Sequence, residues 1–267
     1  MTSQYARTGV DVQKSGIEVF KSTQGIFPHS FVSIHQDRRN PEYGKILHLD
    51  GVGSKTVQRY LHAMETGDRY VFKGDGNDIL AMNTGDVYCV NGDTDGFADY
   101  VAVNVNGFRI SKAEFLSVLK DGIDEAVQRL GGYGIDIDFQ GGETADLPDQ
   151  VRTIDVVGAI TGSVRLSNVI TGDEIKPGYV IIGLRSDGQT VWEESRNSGM
   201  MSNGSTLARH CLMLPEYALK YPEIRDPNGA EYYGKYRTDQ HLDDLGMTVG
   251  EALISPTRLF AIPMKVL

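Results

Sequence analysis

The stretch that decides the fold of this chain is Ile46-Leu-His-Leu-Asp50-Gly-Val-Gly-Ser-Lys-Thr56. Its first four residues predict a short strand, and a helical pattern runs from about Ser54 to Glu65 and stops at Gly67. Between the two elements, glycines let the backbone approach a bulky anion, and the start of the helix offers free amide groups. The sequence therefore predicts a unit made of a strand, a glycine loop and a helix.

The chemistry of this unit depends on Asp50 and Lys55. A carboxylate beside a phosphate is expected to hold Mg²⁺, which takes one or two carboxylates and keeps several waters. Lys55 can offset charge on a phosphate oxygen. The loop differs from a P-loop because Ser54 stands between Gly53 and Lys55. The alternative is a tight strand-to-helix turn capped by Ser54, without a ligand.

Two further acidic clusters beside glycines favour a ligand site. Gly74-Asp-Gly-Asn-Asp78 precedes an apolar helix predicted over residues 78–90, which is expected to be interrupted at Gly85 and also carries Asp86. Carboxylates on a mostly buried helix are costly unless they are paired or bind a metal. The second cluster, Gln140-Gly-Gly-Glu-Thr-Ala-Asp146, follows a strand predicted over Ile135–Phe139. These clusters make a metal and phosphate site the stronger interpretation.

The other patterns of the first part indicate a domain of α+β or α/β character over residues 1–165. Strands are predicted over residues 100–105 and 154–160, and Ser111 opens a long amphipathic helix with a capping box. Asn91–Gly96 is interpreted as a turn, since it does not complete a calcium-binding loop.

The chain of 267 residues exceeds the usual length of one domain, so a second domain is expected over residues 166–267. An apolar strand is predicted over Tyr179–Leu184 at its beginning. Ser255-Pro-Thr257 is predicted to begin its last helix, which stops in mid-pattern. The second domain is therefore expected to be α+β and incomplete.

The overall composition excludes several classes of protein. With 26 basic and 36 acidic residues the net charge is −10, which repels nucleic acids and anionic membranes. The two cysteines, Cys89 and Cys211, have no spacing typical of a disulfide framework or a zinc site. The six histidines show no metal-binding spacing, so each is expected on the surface or in the core. Without an apolar run of about 18 residues or a signal core, a cytoplasmic protein is expected.

Five motifs occur in an order that resembles the aminoimidazole ribonucleotide synthetase family, also called the phosphoribosylformylglycinamidine cyclo-ligases. The segments Tyr5–Asp11 and Gly250–Arg258 resemble the same family, so the resemblance covers nearly the whole chain. The five motifs are Asp50-Gly-Val-Gly-Ser-Lys55, Asp78-Ile-Leu-Ala-Met82, Gly141-Gly-Glu-Thr-Ala-Asp146, Ile175-Lys-Pro-Gly178 and Ser202-Asn-Gly204.

The resemblance implies a two-domain α+β protein with a mixed sheet in the first domain, which would form a homodimer. It implies ATP and Mg²⁺ as cofactors and formylglycinamidine ribonucleotide as substrate. The implied reaction is ATP-dependent closure of the imidazole ring in purine synthesis, with release of ADP and phosphate. Family chains extend roughly a hundred residues further, and they lack an extra segment near Gln189–Ser198.

The resemblance also assigns roles to individual residues. Asp50, Asp78 and Glu143 would hold the metal. Asp99 is the candidate for proton handling during ring closure, with Asp50 and Lys55 as further catalytic candidates. The residues expected at the nucleotide are Gly51, Gly53, Ser54, Lys55, Asp86, Thr144, Ser202 and Asn203.

Two alternatives remain open at this point. One is another ATP-using relative, of the formylglycinamidine ribonucleotide synthetase, selenophosphate synthetase or thiamine monophosphate kinase type. The other is a non-catalytic dimer that binds a nucleotide, favoured by Met201, which stands where family members have a histidine.

Overall fold

A mixed five-stranded sheet forms the centre of the fold. The computed structural model describes residues 4–267. In the sheet, the strands lie in the order β1-β2-β5-β3-β4; β3 and β4 are parallel, and the other neighbours are antiparallel. The strands are β1 (Ile34–Gln36), β2 (Tyr43–Gly51), β3 (Asp93–Val103), β4 (Asp138–Asp146) and β5 (Ile154–Arg165).

Eight α-helices occur in the described residues, and three of them are long. The long helices are α2 (Lys55–Thr66), α3 (Lys73–Cys89) and α4 (Lys112–Gly131). The short ones are α1 (Gln4–Arg7), α5 (Ser205–Leu212), α6 (Glu216–Lys220), α7 (Val249–Ile254) and α8 (Ala261–Val266). Two small antiparallel pairs complete the regular structure: β6 (Asp187–Gly188) with β7 (Asn197–Ser198), and β8 (His241–Leu242) with β9 (Met247–Thr248).

The core lies between one face of the sheet and the helices α3 and α4. Side chains alternate along each strand, so every second residue points to this inner face; those buried there include Ile46, Phe97, Val101, Val156 and Ile160. The two helices approach closely where both lack a Cβ. A Cβ atom built on Gly76 would lie 2.4 Å from the Ile123 backbone nitrogen, and a Cβ atom built on Gly122 would lie 2.2 Å from the Lys73 carbonyl oxygen. Glycine at these two positions therefore sets the helix spacing.

The elements around the decisive stretch agree with the sequence. Strand β2 and helix α2 flank the glycine loop, and Gly67 ends α2 in the left-handed region with φ of 82°. Ser111 caps α4 by accepting a hydrogen bond from the Glu114 amide at 3.4 Å. The mixed α+β architecture is confirmed.

Three predicted elements in the first part need correction. Asn91–Gly96 is not simply a turn: β3 begins at Asp93, because Asp93 and Thr94 pair with β5. Strand β4 contains the whole Gln140–Asp146 cluster instead of ending before it, because these residues pair in parallel with β3. Helix α3 begins at Lys73 and continues through Gly85 without interruption.

The second part departs further from expectation. Tyr179–Leu184 forms no strand, because no strand among the described residues lies beside this segment to pair with it. Its Ile181 side chain is fully exposed (100%). Ser255-Pro-Thr257 follows α7 and does not begin a helix. Helices α7 and α8 pack against α2 and α3. Across residues 4–267, no helix has the length and apolar character needed to cross a membrane.

Candidate metal and nucleotide site

The glycine loop is held at both ends by hydrogen bonds. The Val52 amide donates to the Val156 carbonyl at 2.9 Å, which continues the sheet pairing beyond β2. Gly53 has φ of 65°, a left-handed conformation that favours glycine. The Ser54 hydroxyl lies 2.6 Å from the Thr206 hydroxyl, and the buried Arg209 guanidinium donates to the Ser54 carbonyl at 2.8 Å. Helix α5 therefore fixes the loop from the second part of the chain.

Three potential metal ligands meet between β2 and α3. His48 and Asp50 alternate on β2, and Asp86 lies in the last turns of α3. One ligand atom from each of the three lies within 4.8 Å of the other two. The His48 and Asp86 side chains are 21% and 27% exposed, so solvent reaches the cluster. We call this group the His48–Asp50–Asp86 cluster.

A row of paired residues links Asp50 to Asp99 across the sheet. In the strand register Asp50 is opposite Gly158, which is opposite Asp99, so both aspartates point to the inner face. A Cβ on Gly158 would lie 2.6 Å from the Phe97 ring and 3.0 Å from the Asn83 amide nitrogen. Burial raises the pKa of Asp99, which makes this carboxyl a better proton acceptor near neutral pH.

The acidic cluster on β4 lies beyond Asp99. Gly142 is opposite Asp99, and the next residue, Glu143, is opposite Tyr100. Because successive residues point to opposite faces, Glu143 is on the outer face, away from Asp50. Thr144 is exposed and opposite Val101.

Lys55 and Asp78 form a buried ion pair. Both side chains are fully excluded from solvent, with Lys55 Nζ 3.5 Å from Asp78 Oδ2 and 3.0 Å from the Met200 carbonyl oxygen. Burial lowers the pKa of Lys55 to about 8, against the opposing effect of Asp78. Burial alone would raise the pKa of Asp78, but the Arg59 and Lys55 charges outweigh it, so the pKa is lowered.

Arg59 is the centre of the same buried network. Its guanidinium lies 2.5 Å from Asp75 Oδ1 and 2.8 Å from Asp78 Oδ2, and it donates to the Ile254 carbonyl at 3.0 Å. The Arg59, Asp75 and Asp78 side chains have no solvent exposure. Burial raises the pKa of Asp75 to about 6 even though Arg59 opposes this rise.

Residues from the second part complete this network. The Thr257 amide donates to Asp78 Oδ1 at 2.5 Å, and the Asn77 side chain donates to the Thr257 carbonyl at 2.7 Å. The Ser202 hydroxyl lies 3.1 Å from the Thr257 hydroxyl, whereas Asn203 is exposed at the entry to α5. Residues as far as 202 positions apart in the sequence therefore meet at the N-terminal halves of α2 and α3.

The structure thus brings Asp50 and Asp86 together, but it does not bring Asp78 or Glu143 to them. Asp78 is engaged by two cations and a backbone amide, and Glu143 points to the opposite face of the sheet. His48 takes a place in the cluster that the search for histidine spacings missed. The available signal was its alternation with Asp50 on one strand, which puts both side chains on one face.

A separate cavity of about 530 Å³ lies near the start of α3, between α4 and the loop around Trp192. Its walls include Tyr70, Asn77, Arg129 and Arg258. None of the predicted metal or nucleotide residues lines this cavity. The candidate site is therefore the open region around the glycine loop and the His48–Asp50–Asp86 cluster.

Comparison with known proteins identifies the family of this sheet and its loop. Residues 33–164 match the family model described as AIR synthase related protein, N-terminal domain. The chain belongs to the AIR synthase related family. The matched domain spans β1 to β5, with only Arg165 at the end of β5 outside it, and contains all three residues of the cluster.

Two of the most similar curated relatives are phosphoribosylformylglycinamidine cyclo-ligases. The chain is 32% identical over 223 residues to a phosphoribosylformylglycinamidine cyclo-ligase of Methanocaldococcus jannaschii, covering 84% of this chain and 50% of that protein. It is 31% identical over 270 residues to the protein of that name from Thermococcus gammatolerans, covering 96% and 66%. The chain thus spans about half to two thirds of the length of these relatives.

Among solved structures, the chain is similar to one described as AaThiL complexed with AMPPCP and TMP. The TM-score is 0.45 and the identity is 11%, over 62% of this chain and 47% of that chain. This similarity is too low to support conclusions about the site.

Proposed function

We propose that the chain belongs to an enzyme that uses ATP to close the imidazole ring of formylglycinamidine ribonucleotide, releasing ADP and phosphate. The observation that carries this proposal is its identity of 31–32% to curated cyclo-ligases over most of its length. The cluster around Asp50 and the glycine loop supports it, because phosphoryl transfer requires mainly positioning and charge neutralisation.

The two carboxylates at this site can hold Mg²⁺. Asp50 and Asp86 offer them on one face, and their partial exposure leaves room for the waters that Mg²⁺ keeps. When bound there, the ion would neutralise phosphate charge. The amides at Gly53 and Ser54 would bind phosphate oxygens at the start of α2, whereas the Gly51 amide donates to Asp50 Oδ1 at 2.7 Å. Asp78 and Glu143, expected as ligands from the resemblance, are not part of this revised proposal for the metal.

The other site residues take distinct roles in the proposal. Asp99, with its raised pKa, would accept the proton released as the ring closes. Lys55 would act as a positioning residue, because its ammonium contacts Asp78 and the Met200 carbonyl. Thr144, Ser202 and Asn203 would contact nucleotide or substrate at the edges of the site.

The test is ATP-dependent turnover together with nucleotide binding. Release of ADP is followed with formylglycinamidine ribonucleotide present or absent, and MgATP affinity is measured by isothermal titration. Asp50→Asn is expected to weaken MgATP binding by about 1–3 kcal/mol, since a charge-assisted contact is lost. The control is Asp138→Asn, an exposed residue of β4. Absence of MgATP binding contradicts the proposal; binding without substrate-dependent ADP release assigns the chain to the non-catalytic alternative.

We further propose that the chain forms a homodimer through the outer face of the sheet. On this face Leu47 and Leu49 are 71% and 64% exposed, and Tyr100 is 39% exposed. Exposed apolar patches of this kind mark interaction surfaces.

Leu49→Glu is therefore expected to convert a dimer into a monomer in sedimentation velocity at micromolar concentration, because it places a charge in the apolar contact. Leu219→Glu serves as the control, since Leu219 is 78% exposed on α6, outside the sheet. A monomeric unsubstituted chain, or a dimer that tolerates Leu49→Glu, contradicts this interface.

A further inference from the structure

His48 adds a nitrogen ligand to the two carboxylates of the cluster. Its Nε2 is excluded from solvent and lies 2.9 Å from Asp86 Oδ2, a contact that is an ion pair when the imidazole is protonated. The alternation of β2 aims the imidazole and the Asp50 carboxylate at the same space. An imidazole nitrogen this close to two carboxylates is a ligand arrangement typical of metal sites.

The neighbouring Asn83 provides an independent observation at the same place. It is fully buried one turn before Asp86, and its Nδ2 donates to the Asp50 carbonyl at 3.2 Å and the Ile79 carbonyl at 2.7 Å. Its Oδ1 is buried without a hydrogen-bond partner. Buried polar atoms are rarely left unpartnered, so the polar groups around Asp50 are incompletely satisfied by the protein alone.

The spacing of the ligand atoms suits a small divalent ion. Ligands about 2.0–2.2 Å from such an ion are separated from one another by about 3–4 Å. The three atoms of the cluster, all within 4.8 Å of one another, need only a small inward movement to reach this spacing. The site is also open to solvent through the partly exposed His48 and Asp86 side chains.

We propose that His48 makes this cluster selective for a divalent transition-metal ion, such as Mn²⁺ or Zn²⁺, over Mg²⁺. Mg²⁺ prefers oxygen ligands alone, whereas imidazole nitrogen favours transition metals, and carboxylates accept both kinds of ion. The inference rests on the metal site of the proposed function and names the ion that this chain's own ligands select.

The test measures metal binding without nucleotide. Isothermal titration with MnCl₂, ZnCl₂ and MgCl₂ is combined with electron paramagnetic resonance of free Mn²⁺, for the unsubstituted chain and for His48→Asn. Asparagine keeps an oxygen donor but removes the imidazole, so Mn²⁺ and Zn²⁺ binding should weaken at least about tenfold and Mg²⁺ binding much less. His35→Ala, an exposed histidine on β1, serves as the control and should change nothing.

Two outcomes overturn the inference: equal or weaker binding of Mn²⁺ and Zn²⁺ compared with Mg²⁺, or an unchanged preference in His48→Asn. Asp86→Asn should weaken all three ions, and its failure to do so places the ions elsewhere and also rejects the site. Circular dichroism verifies that each variant is folded. Because these titrations contain no ATP, their result does not depend on whether the chain has the proposed ring-closing activity. A failure of the metal inference is therefore distinguishable from a failure of the proposed function.

Discussion

Replacing Arg59 with methionine is expected to lower the free energy of unfolding by about 3–5 kcal/mol, because it strands buried charges. The guanidinium neutralises Asp75 and Asp78, neither of which is exposed, and it satisfies the Ile254 carbonyl. In the variant Asp78 keeps the Thr257 amide and, as its only cation, the more distant Lys55, and Asp75 keeps only the Thr56 hydroxyl at 3.0 Å. Methionine retains much of the side-chain volume, so the loss reports chiefly on charge.

The measurement is urea unfolding followed by circular dichroism. Arg165→Met is the matched control, since the Arg165–Glu42 pair is exposed (54% and 68%) and its loss should cost at most about 1 kcal/mol. If the Arg59 and Arg165 variants lose similar stability, the buried network does not contribute as described.

A second large effect is expected from Lys55 in alkaline solution. Its pKa is about 8 in the folded chain, whereas an unfolded lysine titrates near about 10.4. Between these values the unfolded state binds more protons, so the free energy of unfolding rises with pH by about 1.4 kcal/mol per unit. The stabilisation is complete above the unfolded pKa and is lost as the pH falls through 8.

The experiment compares the unsubstituted chain with Lys55→Met from pH 7 to 10.5. Other groups cancel in the difference, so the unsubstituted chain should gain about 2–3 kcal/mol relative to the variant over this range. Lys45→Met, at a residue with a 58% exposed side chain, should show no such trend. If the difference in the free energy of unfolding between the two chains does not change with pH, burial does not lower the pKa of Lys55.

The sequence was informative wherever local patterns decide the structure. The strand–loop–helix unit at Asp50 follows from the strand pattern and the two glycines, and Ser111 marks the start of α4 because its capping geometry is local. The prediction of a strand over Tyr179–Leu184 was wrong. A strand requires a neighbouring strand to pair with, and an apolar run in the sequence does not show whether one is present.

The candidate site was harder to predict for the same reason. Asp50 and Asp86 are neighbours only because of the way α3 lies across β2. The burial of Lys55 depends on Thr257 and Met200, which are more than 140 positions away in the sequence. Asp78 was predicted to be a metal ligand, because no sequence motif identifies Arg59 as its cationic partner. Long-range partners, which a single sequence does not disclose, decide these cases.

The hydrogen bond from the Thr257 amide to Asp78 has a consequence for how the chain comes apart. If the segment that contains Ile254 and Thr257 separated from the rest of the chain, the buried Asp78 carboxylate would lose the Thr257 amide as its donor. The Ile254 carbonyl would also lose its hydrogen bond from Arg59. We therefore expect the early and late segments to unfold in one cooperative transition, without a state in which only one of them has melted.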